Sequence, residues 1–209
     1  MSPTSPVSRV PFVLLDVDGV INAVSGRGDP SVWQDWRSGR ARAGGRTWPI
    51  LWSPTVTGTI RRWHATGLAE VRWLTTWRDE ANETLRELVG LPPLTVVGSV
   101  AHEVPAQVQP APDPAVASHA EVAGADAPSL LTGRWWKFDL VLELVAADPS
   151  RPFVWLDDDL RTKQPVREWL AGHTTSLTLA PPAHTGLTPR LLAEAEEWLR
   201  AHHPDAAPG

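Results

Sequence analysis

Residues 10–20 read Val-Pro-Phe-Val-Leu-Leu-Asp16-Val-Asp18-Gly19-Val, an apolar run of strand length that ends in two carboxylates and a glycine. Aspartate has low strand propensity and is costly to bury unpaired, so the run predicts a buried strand over 10–15 with Asp16 and Asp18 after its carboxyl end. Open α/β sheets bind ligands at that end of their strands. Alternation along an extended chain places both carboxylates on one side, where they repel each other unless a cation lies between them. Mg²⁺ is the usual hard cation for such oxygen ligands.

The composition of the chain narrows its class. Its 209 residues are enough for one domain, and a net charge of −5 without a basic block argues against broad nucleic-acid binding. The absence of cysteine excludes disulfides, thiolate catalysis and Cys-ligated zinc. No run approaches the roughly 20 apolar residues of a membrane span. The first residues lack the charged start and apolar core of a signal peptide, so we expect a cytoplasmic protein with no membrane partner.

Lysine is rare in this chain although arginine is common. It occurs only as Lys137 and Lys163. Where arginine is the default cation, a retained lysine indicates a place for a compact point charge that a planar guanidinium cannot imitate.

One domain is predicted over 9–203, with tails at 1–8 and 204–209. Strands are predicted over 10–15, 70–74, 94–97, 152–156 and 174–179, and helices over 54–66, 79–89, 135–147, 161–172 and 189–202. The alternation of strands and helices predicts an α/β fold: a Rossmann-like, doubly wound parallel sheet of five strands.

Two segments are too long to be plain connections. Residues 22–53 contain Gly, Arg and Trp with little periodicity, and we expect a functional loop or minimal cap insertion there. Its arginines either bind an anion or are solvated; they stand at positions 27, 40, 42 and 46. Residues 99–133, rich in Pro and Ala, are expected to form a long loop that is a second candidate cover for the site.

Three of the predicted strands end in polar side chains. Asp16 and Asp18 follow the first strand, Thr75 follows the second, and the aspartates at 157–159 follow the fourth. Lys137 lies at the start of a predicted helix. Because the carboxyl ends of parallel strands meet on one rim of a sheet, these groups are expected to converge.

The chemistry of these groups suits phosphoryl transfer. Asp16 is a candidate nucleophile that can form an aspartyl phosphate, and Asp18 can protonate the leaving oxygen and then activate water. The hydroxyl of Thr75 can hold a phosphate oxygen, and Lys137 can stabilise charge on both the phosphate and Asp16. An acid of the 157–159 group can complete an Mg²⁺ site with Asp16.

These motifs resemble those of the haloacid dehalogenase-like (HAD) superfamily, in the same order over about residues 10–180. The four matching segments are Leu14-Leu15-Asp16-Val-Asp18-Gly19-Val20, Trp73-Leu74-Thr75, Lys137, and Val154-Trp155-Leu156-Asp157-Asp158. The resemblance implies the HAD fold and a Mg²⁺-dependent phosphatase with Asp16, Asp18, Thr75 and Lys137 in catalysis. It also implies that Asp16, Asp158 and Asp157 bind the metal together with Asp18, the last through its backbone carbonyl.

A finer resemblance concerns the substrate. The segments 51–54, 71–82 and 185–188 are similar to the small HAD domains of bacterial RNA-repair proteins and to free-standing actinobacterial proteins. This similarity implies removal of phosphate from a nucleotide or an RNA end.

Several alternatives stay open at the level of the sequence. Thr76 rather than Thr75 is an alternative at the strand end, and Asp159 is a candidate N-cap for the next helix. The tryptophans at 33, 36 and 77 either stack on a substrate ring or pack in the protein. The same residues also suit a phosphotransferase, a small-molecule phosphatase of a biosynthetic pathway or a non-catalytic binding module.

Overall fold

Strands and helices alternate in the computed structural model, which describes residues 10–98 and 135–205. The strands are β1 (Phe12–Leu15), β2 (Arg37–Ala43), β3 (Arg46–Trp52), β4 (Glu70–Trp73), β5 (Thr95–Val96), β6 (Phe153–Leu156) and β7 (Ser176–Leu179). The α-helices are α1 (Pro54–Ala65), α2 (Thr84–Val89), α3 (Trp136–Ala147), α4 (Gln164–Ala171) and α5 (Pro189–Ala201). Two short 3₁₀ helices cover Arg78–Asn82 and Asp158–Arg161.

Five strands form one parallel sheet in the order β5-β4-β1-β6-β7. The chain starts in the centre at β1, builds outward through β4 and β5, and then continues on the opposite side with β6 and β7. The strand order therefore reverses between β1 and β6, which is where open α/β sheets form their ligand crevice. Leu15 pairs with Leu156, so the residues after these two strands, Asp16 and Asp157, are neighbours at that crevice.

The sheet is covered on both faces. Val13 and Leu15 belong to a core cluster that includes residues of α1 and α5, such as Ile60 and Leu199. Phe12 and Leu14 face a second cluster built with α3 and α4. Successive side chains of a strand point to opposite faces, so the unbroken apolar run of β1 fits a strand buried on both sides. The five-stranded, doubly wound α/β architecture predicted from the sequence is confirmed.

Helix caps account for two predicted helix starts. The Ser53 hydroxyl accepts a hydrogen bond from the Val56 amide at the start of α1, and Thr188 caps α5 in the same way. A proline occupies the first turn of each helix, where its missing N–H costs nothing.

The helix predicted over 79–89 is wrong as a single element. The structure instead has a 3₁₀ turn over Arg78–Asn82 followed by α2. The Asn82 side chain accepts hydrogen bonds from Trp73 Nε1 and the Leu94 amide and donates one to the Leu94 carbonyl. These bonds tie the break in the helix to the ends of two neighbouring strand segments.

The insertion at 22–53 contains regular structure that the sequence analysis missed. Strands β2 and β3 form an antiparallel hairpin whose two-residue turn, Gly44-Gly45, has φ of 58° and 70°. A two-residue hairpin turn with positive φ at both positions favours glycine, asparagine and aspartate, so the Gly-Gly dipeptide was the sequence signal of this hairpin. The arginines at positions 27, 40, 42 and 46 are exposed.

The predicted tail at 1–8 and the predicted loop at 99–133 lie outside the described residues, as do residues 206–209. Among the helices of the described ranges, none is long and apolar enough to cross a membrane.

Candidate active site

A buried lysine joins two aspartates at the crevice between β1 and β6. Lys137 Nζ lies 2.7 Å from Asp16 Oδ2 and 2.7 Å from Asp157 Oδ2. The three residues are 1%, 5% and 0% exposed, respectively. The adjacent strands bring the carboxylates together, because the Asp16 amide donates to the carbonyl of Leu156 at the end of β6.

Lys137 reaches the crevice from the first turn of α3. The Trp136 side chain beside it is buried in the core cluster that also contains Phe12 and Leu14 of β1. The rings of Trp135 and Trp136 have their centroids 5.6 Å and 5.8 Å from Nζ, within reach of cation–π attraction. Burial alone would lower the pKa of Lys137, but the carboxylates of Asp157 and Asp16 outweigh burial and raise it above its ordinary value. The lysine is therefore a fixed positive charge.

The two aspartates after β6 bind protons more readily than ordinary carboxyl groups. Burial, the largest cause, raises the pKa of Asp157 to about 8; Lys137 opposes the rise and Asp16 adds to it. Burial and then the charges of Asp16 and Asp159 raise the pKa of Asp158 to about 7. The single positive charge of Lys137 does not balance the carboxylates of Asp16, Asp157 and Asp158.

Asp16, Asp157 and Asp158 form a group that fits a metal ion. Each offers a carboxylate oxygen, and the three oxygens lie within 4.8 Å of one another. An all-oxygen donor set favours a hard cation, and a divalent cation would supply the positive charge that the cluster lacks. The raised pKa values of Asp157 and Asp158 show the same need for positive charge at this group of carboxylates.

Gly19 makes room for this group. Its φ is 70°, and a Cβ added to it would lie 2.2 Å from Cγ of Asp158. A side chain at this position would strain the backbone and displace the Asp158 carboxylate.

Asp18 lies outside the three-acid group and has its own supports. Trp77 Nε1 donates to its Oδ2 over 2.8 Å, and Asn22 Nδ2 donates to its Oδ1 over 2.6 Å. Burial raises the pKa of Asp18, while these two hydrogen bonds lower it by a smaller amount. Asp18 thus carries a proton at a higher pH than an ordinary aspartate does.

Sequence reasoning missed Asn22, whose amide oxygen also accepts from the Leu51 amide in the hairpin. The Asp18–Asn22 spacing of four residues gave no helix or strand pattern that could have shown it. The packing interpretation of Trp77 is confirmed, because the residue is 4% exposed and belongs to the core. The indoles of Trp33 and Trp36 donate to the carbonyls of Leu187 and Asp29.

Thr75 lies on the same rim of the sheet, after β4. It is buried, and its hydroxyl oxygen accepts from the Trp77 amide over 3.3 Å, while Thr76 is half-buried. The described contacts thus join Thr75 to the turn that carries Trp77, and its proposed contact with phosphate stays a prediction.

Asp159, a candidate N-cap in the sequence, caps neither of the two elements that follow β6. Asp157 caps the 3₁₀ turn instead, because its Oδ1 accepts from the Asp159 amide over 3.0 Å. The residue before α4 is Lys163, which makes no side-chain cap. Asp157 therefore caps the 3₁₀ turn through Oδ1 and pairs with Lys137 through Oδ2.

No protein-family model, curated protein or solved structure matches the chain. Its class therefore follows from its own fold and site. It is an α/β protein whose five-stranded parallel sheet holds a buried Asp–Lys–Asp cluster at the switch point, beside a third aspartate that can share a metal ion.

Proposed function

We propose that the protein is a Mg²⁺-dependent phosphohydrolase that acts on a phosphomonoester through an aspartyl-phosphate intermediate. The observation that carries the proposal is the difference between the surroundings of Asp16 and those of Asp18. Asp16 is ion-paired with Lys137 among the three clustered acids, whereas Asp18 is held separately by Trp77 and Asn22. A nucleophile and a proton donor in different environments are what two-step hydrolysis requires.

The first step transfers the phosphoryl group to Asp16. A carboxylate oxygen of Asp16 forms a bond to phosphorus while the ester P–O bond breaks, and the leaving oxygen takes the electron pair of that bond. Asp18 gives its proton to this oxygen, so the alcohol leaves neutral. The Val17 amide donates to Asp16 Oδ1 over 2.8 Å and Lys137 holds Oδ2, which fixes the carboxylate in the crevice.

The second step releases phosphate. Asp18, now ionised, takes a proton from a water molecule whose oxygen attacks phosphorus. The bond between phosphorus and the Asp16 oxygen breaks, its electrons return to the carboxylate, and inorganic phosphate leaves. Both aspartates then have the protonation with which they began.

Charge balance assigns roles to the remaining residues. Asp16, Asp157 and Asp158 would hold Mg²⁺, which when bound neutralises charge on the transferring phosphoryl group. Lys137 supplies a compact positive charge next to Asp16. The resemblance of the four motifs to the HAD superfamily supports the same roles.

The test is phosphate release from an aryl phosphate with Mg²⁺. Asp16→Asn is expected to abolish activity, by at least about 10³-fold, because an amide cannot form the acyl phosphate. Asp205→Asn, at an exposed aspartate outside the three-acid group, is the matched control and is expected to keep full activity. An active Asp16→Asn protein would contradict the proposal.

A second measurement identifies the acceptor. With an alcohol added, release of inorganic phosphate alone supports a hydrolase, whereas phosphorylation of the alcohol would make the protein a phosphotransferase. Mg²⁺ binding without turnover of any phosphate ester would indicate a binding module.

A further inference from the structure

A cavity of about 420 Å³ opens next to Asp18. Its walls come from the segment that follows Asp18, residues 22–26, and from the middle of the β2–β3 hairpin, at residues 38–39 and 49–51. Its volume lies at the small end of the range for ligand cavities, about 300–1,000 Å³.

Asp18 connects the cavity to the proposed reaction, because it is part of the cavity wall. Among the acids of the candidate site, Asp18 lines the cavity, whereas Asp16, Asp157 and Asp158 are absent from its described lining. The proton donor must face the leaving oxygen, and the phosphoryl group must face Asp16. The leaving group of a bound substrate therefore projects past Asp18 into this space.

The hairpin turns a defined set of side chains toward the cavity. Ser38 pairs with Leu51 and Gly39 pairs with Ile50, so the two pairs project from opposite sides of the hairpin. The Gly39 side of the hairpin lies against Leu88 of α2. Both pairs border the cavity, and Ser38 and Leu51 belong to the face of the hairpin away from α2.

The hairpin is joined to Asp18 by short hydrogen bonds. The Leu51 amide donates to Asn22 Oδ1 over 2.8 Å, and the Ala23 amide donates to the Leu51 carbonyl over 2.8 Å. Asn22 then donates to Asp18. The cavity wall and the proposed proton donor thus form one hydrogen-bonded unit.

The described lining is small and nearly uncharged. Apart from Asp18, it consists of serine, asparagine, glycine, alanine and apolar side chains, and it includes no cationic residue among those the structure describes. Arg40, the next residue on the Ser38 face of β2, lies outside this lining. An anionic leaving group would therefore find no cationic side chain in the described lining to pair with.

We infer that this cavity binds the leaving group and that the substrates are phosphomonoesters of compact, uncharged alcohols. The inference rests on the proposed phosphohydrolase function. It favours a small-molecule phosphate over an RNA end, because the phosphodiesters of an RNA bring further negative charge next to the scissile group.

The test compares acetyl phosphate, phenyl phosphate and a short oligoribonucleotide with a terminal phosphate. For the wild-type protein, kcat/KM is expected to be at least about tenfold higher for phenyl phosphate than for the oligonucleotide. A preference for the oligonucleotide overturns the inference. A wild-type protein that is inert toward all three, acetyl phosphate included, overturns the proposed function itself.

Two substitutions change the size of the cavity in opposite directions. Ser38→Trp is expected to lower kcat/KM for phenyl phosphate at least about tenfold relative to acetyl phosphate, whose leaving group is much smaller. Leu51→Ala is expected to raise the ratio of naphthyl phosphate to phenyl phosphate turnover by a few-fold. A change of this order is typical when the size of an apolar pocket changes by a methylene group or more.

The control for added bulk is Thr47→Trp. Thr47 is exposed on β3 and stands four residues before Leu51, about 13 Å away along the strand. All activities of this variant are expected to stay within about twofold of wild type. Thermal unfolding checks that each variant is folded. A folded Ser38→Trp variant that lowers kcat/KM equally for all substrates overturns the inference. If Ser38→Trp does not fold, Leu51→Ala provides the test. An unchanged ratio of naphthyl to phenyl phosphate turnover in Leu51→Ala then overturns the inference.

Discussion

Gly19 and Asp158 compete for one volume: a Cβ at residue 19 would lie 2.2 Å from Asp158 Cγ and 2.5 Å from its Oδ1. The glycine of the first motif thus gives the acid of the last motif its place. Two segments that are 139 positions apart in the sequence (158 minus 19) are complementary in shape at the group of three acids that could hold a metal ion.

Gly19→Ala is therefore expected to weaken Mg²⁺ binding by about 10–100-fold, the usual cost of disturbing the surroundings of a metal ligand. Isothermal titration calorimetry of the purified variant with MgCl₂ measures this. Gly67→Ala is the matched control, since φ there is 74° but no atom lies within 4 Å of an added Cβ. That variant is expected to lose about 1 kcal/mol of stability through backbone strain and to bind Mg²⁺ normally. Equal affinities of the two variants would contradict the role given to Gly19.

Lys137→Met is expected to lower the free energy of unfolding of the metal-free protein by about 3–5 kcal/mol. The reason is that Asp16 and Asp157 would be left buried without their cation. Urea unfolding at neutral pH measures the loss. Lys163→Met, at the other lysine of the chain, removes a charge that lies 5.3 Å from the Trp135 ring centroid at a half-buried position, and we expect a loss below about 1 kcal/mol. A comparable loss for both variants would argue against a special role for Lys137.

Addition of Mg²⁺ is expected to raise the unfolding temperature of the wild-type protein relative to EDTA, because a ligand that binds only the folded state stabilises it. At a concentration 100 times the dissociation constant, the gain is about 2.7 kcal/mol. Asp158→Asn is expected to lose most of this shift, because it removes one of the three clustered carboxylates. Asp159→Asn, at the exposed neighbour outside that group, is expected to keep it. Differential scanning fluorimetry separates the two variants, and a normal shift in Asp158→Asn would exclude Asp158 as a ligand.

Glu70 is expected to contribute to the loss of stability in acid. Burial alone would raise its pKa, but hydrogen bonds from Arg72 and Arg151, at 2.7 Å and 2.6 Å, outweigh burial and hold the pKa below the ordinary 4.5. A lowered carboxyl pKa stabilises the fold above the unfolded-state pKa, and this contribution disappears as the pH falls through the folded-state pKa.

Glu70→Gln should accordingly be less stable than wild type at pH 7, by about 0.5–1 kcal/mol because the side chain is 35% exposed. The difference should be smaller at pH 3, because the contribution of the ion pairs disappears as the pH falls through the lowered folded-state pKa. Urea unfolding at the two pH values provides the measurement, with exposed Glu197→Gln as the control. A difference that persists undiminished in acid would rule out the ion-pair origin.

Much of the sheet follows from local patterns. The apolar run of β1 and the alternation of strands with helices were enough to predict five parallel strands, and the Ser-Pro and Thr-Pro pairs located two helix starts. The 79–89 helix was wrong because Asn82 gives its side chain to the Leu94 backbone, a contact that no helical pattern contains. The first strand of the hairpin was missed because its buried positions are small alanines and the residues between them are exposed and polar.

The residue types of the candidate site were likewise readable along the chain, because clustered carboxylates after apolar strands and a rare lysine are chemically unusual wherever they stand. Their partners were not readable, because hydrogen bonds such as Trp77 to Asp18 and ion pairs such as Lys137 to Asp157 join side chains that only the strand order brings together. Local chemistry along the chain thus indicated the candidate site residues and the class of fold. The folded sheet decided which two acids pair with the lysine, which acid stands apart from them, and which cavity that acid lines, because distance and burial in three dimensions set the electrostatics of each carboxylate.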